Sequence, residues 1–256
     1  MAAGGPQHRL YLWHGRALIV GPGIDSTPHA HFAAQLTLGL ERPFRVRLGP
    51  EQPWVETQAA IFAPNQQHQL DCGGTVVAHL FVELAQRQQA TITQVSAQYH
   101  VLPDFAAVRA AIEAARVGRL ELDAAERAAQ QWLCCALPDA LEPYGYDPRI
   151  AKALDWIAAN PGVQPSGALL AAKVHLSESR FTHLFRQQTG LSLSRYLLWL
   201  RLFEGVAAVA DGDNMTSAAH RAGFADLAHM SRSFRSTFGV VPSELHKMTI
   251  AFKRNA

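Results

Sequence analysis

The stretch HLSESRFTHLFRQQTG, from His175 to Gly190, decides how this chain is read, because ADLAHMSRSFRSTFG, from Ala225 to Gly239, repeats it closely. Phe185, Arg186 and Gly190 return as Phe234, Arg235 and Gly239, each 49 residues later. Past the glycines, LSLS at Leu191–Ser194 is matched by VVPS at Val240–Ser243. Each copy reads as a short helix (residues 168–173, then 217–222), a tight turn and a longer helix. Ser177 and Asp226 stand where an N-cap accepts a free backbone N–H, and Gly190 and Gly239 stand where a helix ends in the left-handed region.

Apolar residues recur at helical spacing in each longer helix: Phe181, Leu184 and Phe185 in the first, Met230, Phe234 and Phe238 in the second. Those stripes require a core. The opposite faces carry Ser179, Arg180, Thr182, His183, Arg186 and Gln187, and then Ala228, His229, Ser231, Arg232, Arg235 and Ser236. A helix entering a DNA major groove needs that composition, with short or hydrogen-bonding residues toward the base edges and cations along the phosphates. Two similar hairpins in a plain helical bundle are the structural alternative, since helical hairpins are common. Repetition of both caps and of the basic face favours DNA.

Charge is divided along the chain in the same sense. The net charge is +2, yet residues 147–256 hold thirteen Lys and Arg against eight acids, residues 101–146 four against seven, and residues 1–100 six against six. An anionic partner is therefore expected for the C-terminal part. At 256 residues and 48% apolar composition the chain has room for more than one packed domain. Three cysteines make no disulfide framework and suit a reducing compartment. The opening MAAGGPQHRL lacks a secretion-signal pattern, and no run is apolar and long enough to span a bilayer, so a cytoplasmic chain without membrane contact is expected.

Residues 10–84 alternate short apolar runs, such as ALIV, QLTLGL and FRVRL, with turn signals such as GPG, ERP and APNQQ, the pattern of a β sandwich or barrel. Residues 104–137 turn to helix formers in two segments, each opening with an aspartate, Asp104 and Asp123, placed as an N-cap. These helices serve either packing or dimer contact. Pro138, Pro143 and Pro148 mark a boundary with LEPYGYDP as linker, and residues 149–246 read as helical throughout, with a long apolar helix over about 193–210 that contains Gly205.

Taken together, residues 149–246 resemble the DNA-binding domain of the AraC/XylS transcriptional regulators. Gly223-Phe224, Phe234-Arg235, Gly239 and Pro242-Ser243 carry that family's signature. The resemblance implies two helix-turn-helix units, joined by the long helix, that read successive major-groove segments on one side of the duplex. It implies base contacts at His183 and Arg232, which occupy matching places. The chain departs from the family twice: His175 stands where the first turn usually has glycine, and Leu227-Ala228 stand where polar base readers are frequent. Arg232 is accordingly expected to be the main base reader of the second unit, with Arg235 as a phosphate clamp.

In the N-terminal part, GIDSTPHAHFAAQ at Gly23–Gln35, followed by APNQQH ending in His68, resembles the two motifs of cupin barrels, with Gln35 where metal-binding members often have glutamate. The resemblance brings His29, His31, Gln35 and His68 into one barrel mouth, as a small-molecule effector pocket or as a divalent metal site formed by His29, His31 and His68. Phe32, Phe44, Trp54, Phe62 and Phe81 supply apolar bulk nearby.

The expected architecture is an α+β multidomain chain: a cupin-like β-barrel over residues 1–100, a helical linker or dimerisation segment over 101–146, and an all-α domain with two helix-turn-helix units over 147–256. The expected function is ligand-controlled, sequence-specific transcriptional regulation without catalysis. Its partners would be double-stranded DNA, a small-molecule effector, a second copy of the chain and RNA polymerase. The alternative is a metal-dependent cupin enzyme with an accessory nucleic-acid domain.

Overall fold

Alternating apolar runs become strands because one face of each can be buried while the turns between them take the Gly and Pro. The computed structural model describes residues 8–13, 15–31, 33–82, 106–117, 121–137, 146–160, 162–238 and 241–252. Phe32, the expected cap Asp104, residues 138–145 of the expected linker, Gly239 and Val240 lie outside the described residues.

Among the described residues eight strands precede the first helix: β1 (His8–Trp13), β2 (Arg16–Pro22), β3 (Ala34–Gly39), β4 (Phe44–Arg47), β5 (Val55–Thr57), β6 (Ala59–Phe62), β7 (Gln69–Asp71) and β8 (Val76–Val82). They do not close into the expected barrel. Among the described residues they and a ninth strand, β9 (Met248–Phe252), form two sheets, one ordered β6-β3-β8-β2-β1-β9 and one ordered β5-β4-β7. Strand β9 occupies the β1 edge of the larger sheet, pairing in parallel from His8 with Met248 to Leu12 with Phe252. The C-terminal segment that follows the helices is thus part of the N-terminal sheet.

Both faces of the large sheet are covered, which is why β3 is buried at every position. On one face, Tyr11, Trp13, Leu18, Leu36 and Leu80 pack with Val108, Ile112, Trp132 and Leu133 of helices α1 (Ala106–Val117) and α2 (Leu122–Ala136). These two helices pack on the sheet. Asp123 is not the N-cap of α2. Glu121 holds that position in an extended conformation, and Asp123 sits in the first turn, where its charge faces the positive end of the helix dipole. On the other face, the small sheet covers Ala60, Phe62 and Val77, and the helical domain covers Leu10, Leu12, Ala17 and Phe81.

The helical domain contains α3 (Pro148–Ala159), α4 (Gly167–Lys173), α5 (Glu178–Thr189), α6 (Leu193–Ala210), α7 (Met215–Arg221) and α8 (Leu227–Phe238), followed by a 3-10 turn, Pro242–Lys247. The expected long helix is α6. In α3, Asp147 accepts the Arg149 N–H at 3.0 Å, and Ile150 and Ile157 point into the core. Helix α7 begins before Ser217, because the Asn214 side chain accepts from Thr216 and Ser217 and so caps the chain earlier. Gly205 lets the second unit press against α6. A Cβ there would lie 3.1 Å from Met230 Sδ and 3.4 Å from Ala222 Cβ.

Candidate nucleic-acid interface and a buried histidine cluster

The two helix-turn-helix units are built alike from the turn upward. Their turns pass through the left-handed region at His175 (φ 57°) and Gly223 (φ 76°). In both, the next N–H reaches back to the first helix, Leu176 to the Ala171 carbonyl at 3.0 Å and Phe224 to the Ala219 carbonyl at 2.9 Å. Each long helix is then capped from its N-cap side chain to the third helical N–H: Arg180 to Ser177 Oγ at 3.3 Å, and His229 to Asp226 Oδ1 at 2.6 Å. The turn residues His175 and Gly223 are 48 apart while the caps are 49 apart, so the second turn is one residue longer.

Apolar stripes settle which face points outward. Phe181, Phe185, Met230 and Phe234 are buried. Ser179, Arg180, Thr182, His183, Arg186 and Gln187 on α5, and Ala228, Arg232, Arg235 and Ser236 on α8, are exposed. Thr182 donates its hydroxyl to the Glu178 carbonyl at 2.8 Å, which leaves its methyl and lone pairs outward. His229 is half-buried, with its ring perpendicular to Phe224 at 5.2 Å. Away from these faces two arginines are neutralised: Arg221 meets Glu204, Asp211 and Asp213 within 3.3 Å, and Arg149 meets Asp147 at 2.7 Å. Among the described residues, Arg180, Arg186, Arg232 and Arg235 enter no ion pair, although Arg180 lies near enough to Asp147 to add to the lowering of its pKa that Arg149 mainly causes, so two exposed helix faces present four guanidinium groups outside any ion pair.

The histidines of the N-terminal part do converge. His29 pairs with His68 in an isolated antiparallel bridge outside the named strands, and ligand atoms of His29, His31 and His68 all lie within 4.8 Å of one another. His68 is fully buried, stacked on Phe62 with centroids 4.0 Å apart. Gln35 joins the cluster, its Oε1 2.8 Å from His31 Nε2. Two polar residues escaped sequence reading: Gln35 also reaches Thr37, which in turn contacts His79 Nδ1 at 3.0 Å. The available signal was His79 itself, a polar residue inside the apolar run TVVAHLFVEL, paired across the ladder with Thr37. Burial pushes the His31 imidazole down to about 4 and that of His79 to about 3, and it lowers His29 and His68 as well. All four rings are therefore neutral at neutral pH.

Beside the cluster lies a small, partly open cavity of about 40 Å³, bordered by His29, Gln35 and His79 from the β domain and by Phe238 at the end of α8 and Met248 at the start of β9. Aromatic rings continue from it into the helical domain. His31 meets Phe81 at 5.3 Å, Phe81 meets Phe238 at 5.6 Å, and Phe238 meets Trp199 of α6 and Phe234 of α8 at 5.4 and 4.6 Å. Of the remaining aromatics, Phe44 and Phe62 are core, and Trp54 lies under Arg45 and Arg47.

Comparison with known proteins bears on both parts. Residues 170–248 match the family model of a helix-turn-helix domain. The HTH-type transcriptional activator RhaS of Pectobacterium carotovorum is 32% identical over 102 residues, covering 40% of this chain and 36% of RhaS. The transcriptional activator RhrA of Rhizobium meliloti is 34% identical over 70 residues, covering 26% of this chain and 22% of RhrA. The match thus spans about a third or less of these relatives. Among solved structures, ToxT of Vibrio cholerae O395 superposes with a TM-score of 0.56 over 93% of this chain and 99% of ToxT at 10% identity. A second ToxT structure, from strain SCE256, gives 0.57 over 91% and 97% at 11% identity. At that identity the likeness is one of fold, a β-rich N-terminal domain followed by a helical C-terminal domain. Residues 170–248 of this chain thus form a helix-turn-helix domain, similar to the corresponding part of transcriptional activators such as RhaS.

Proposed function

We propose that this chain is a sequence-specific DNA-binding transcriptional regulator whose N-terminal domain binds an effector beside the histidine cluster and acts on the second helix-turn-helix unit. The observation that carries the reading is the set of four exposed, ion-pair-free arginines on α5 and α8, two helices capped and buried in the same way. A cation held in no ion pair is available to a phosphate or to a guanine edge. Helix α6, about 27 Å long at 1.5 Å per residue, sets the units apart by a distance comparable to the ~34 Å of one duplex turn. The reading is one of recognition and not of turnover.

The position of the cavity supports control by an effector. Phe238, the last residue of α8, forms part of its wall, and Met248 starts the strand that ties the helical domain to β1. A ligand that fits better with one placement of Phe238 than another shifts the position of α8, because a ligand moves an equilibrium by its differential affinity for the two states.

Binding of a mixed-sequence duplex by the full chain, followed by fluorescence anisotropy, tests the electrostatic core of the reading. If six to ten phosphates are neutralised, affinity falls about 10³–10⁵-fold between 50 and 200 mM salt. A response that is flat over that range contradicts it.

A further inference from the structure

Helix α6 carries at its midpoint a cation that contacts within the chain leave unused. Arg201 is the ninth residue of a helix that runs from Leu193 to Ala210, so it stands midway between the two units. Among the described residues it enters no hydrogen bond and no ion pair. Glu204, the acid nearest along α6, is held by Arg221 at 3.3 Å. The Arg201 guanidinium lies over the Phe224 ring, 5.1 Å from its centroid. Its Nε is buried without a hydrogen-bond partner, a condition that calls for a reason beyond packing. The two terminal nitrogens are not buried in the same way, and the residue as a whole is half-buried. The outer edge of the guanidinium therefore faces the surface.

Three parts of the helical domain meet at this edge. Phe224 follows Gly223 in the turn of the second unit. A Cβ on Gly223 would lie 3.7 Å from Arg201 Cδ and 3.6 Å from Gln164 Nε2, so the arginine stem and the Gln164 amide flank one point that a glycine keeps open. Gln164 is exposed, in the segment that leads from α3 into the first unit, and it too enters no hydrogen bond among the described residues. Exposed N–H donors around a positive charge, with no carboxylate paired to them, match an anion. A phosphate can take two parallel N–H bonds from one guanidinium, and the Phe224 ring beneath holds that planar fork in place before the phosphate arrives.

The placement says which phosphate. A recognition helix meets the bases with its N-terminal residues, and Gly223 comes three residues before Asp226, the cap of α8. The turn thus stands at the rim of the groove, where the backbone runs. Resting on the reading of α5 and α8 as recognition helices, we propose that Arg201 and Gln164 hold one backbone phosphate of the DNA segment between the two base blocks. The contact ties the approach to the first unit, the joining helix and the turn of the second unit to a single phosphate. It supplies affinity and fixes placement, and it carries no base preference.

The test uses the full chain and a duplex that it selects, with single phosphates between the two blocks replaced in turn by uncharged methylphosphonates. Replacement at one position, or at two adjacent ones, should weaken binding about tenfold or more. Arg201→Gln should bind the unmodified duplex more weakly by a similar factor, with its base preferences unchanged. It should lose nothing further at the sensitive position, because the two changes remove the two sides of one contact. Its salt slope should fall by about one unit, and Arg201→Lys should restore the slope. An arginine that served only to pack on Phe224 would move the unfolding midpoint and leave the slope and the methylphosphonate effect as they were. Scanning with the unsubstituted chain is independent of any folding defect in a variant. The site is overturned if no phosphate between the blocks is sensitive, if Arg201→Gln remains as sensitive there as the unsubstituted chain, or if its slope is unchanged. Any of these results beside selective duplex binding overturns the Arg201 site alone. Failure of the unsubstituted chain to bind any duplex at low salt overturns the recognition reading and this contact with it.

Discussion

The two helix-turn-helix units share their caps, their buried stripes and their exposed arginines, yet they are anchored differently. The first unit ends at Gly190, in the left-handed region at φ 77°, and passes into α6 through the Ser192 cap. At this end the described hydrogen bond to the β domain is that of Arg195 with Asn65, at 2.9 Å. The second unit ends at Phe238 between Phe81 and Trp199, and the chain beyond it returns to the large sheet as β9. Similar recognition devices can therefore have different duties. On the proposed reading the first unit reads DNA with a looser tie to the β domain, and the second moves as Phe238 and β9 allow.

The sharpest way to break this contrast is to remove one ring from each unit. Phe185→Ala and Phe238→Ala should each cost about 3–5 kcal/mol in denaturant unfolding, as expected for a large buried ring. Their reach should differ. Hydrogen exchange should show that Phe238→Ala loosens β1 and β9 while Phe185→Ala leaves both protected. Equal effects of the two variants on those strands would abolish the asymmetry.

A smaller effect separates roles within α8. Arg232→Ala should lose about 1–3 kcal/mol of discrimination at one or two base pairs, and Arg235→Ala should weaken all sequences alike and lower the salt slope by about one unit. Measuring both against single-base changes of one duplex, at two salt concentrations, checks the assignment. Uniform losses from both would leave α5 as the sole carrier of direct readout.

The smallest expected difference lies in the turns. His175→Gly removes a side chain from a left-handed position and should stabilise the fold by up to about 1 kcal/mol, whereas Gly223→Ala should cost about 1–2 kcal/mol. Thermal unfolding of both variants decides it, and a destabilised His175→Gly would mean that the imidazole does something in that turn beyond tolerating it.

The sequence made the helical domain legible for a physical reason: caps, left-handed stops and apolar stripes are local, so HLSESRFTHLFRQQTG announces its own helix. The cupin resemblance also implied that His29, His31 and His68 converge, and they do lie together, although in no closed barrel. What escaped was non-local. Nothing in MTIAF says that β9 pairs with β1 across more than 230 residues, and the same apolar runs serve a closed barrel or two sheets equally well. Nor could spacing show that Phe238, one more apolar position in a helical stripe, borders a cavity of the β domain. A helical fragment cut at residue 147 would leave β9 without its partner strand, so tests of DNA binding belong on the full chain.

Selection of bound sequences from random duplexes by the full chain tests the central claim most directly. Two units of unlike surface, separated by α6, should enrich two short base blocks about 10 base pairs apart. The blocks should differ in sequence, and the one read by α8 should lose its preference in Arg232→Ala. Enrichment of a single block, of two identical blocks in inverted order with no asymmetry inside either, or of no sequence at all would contradict the account.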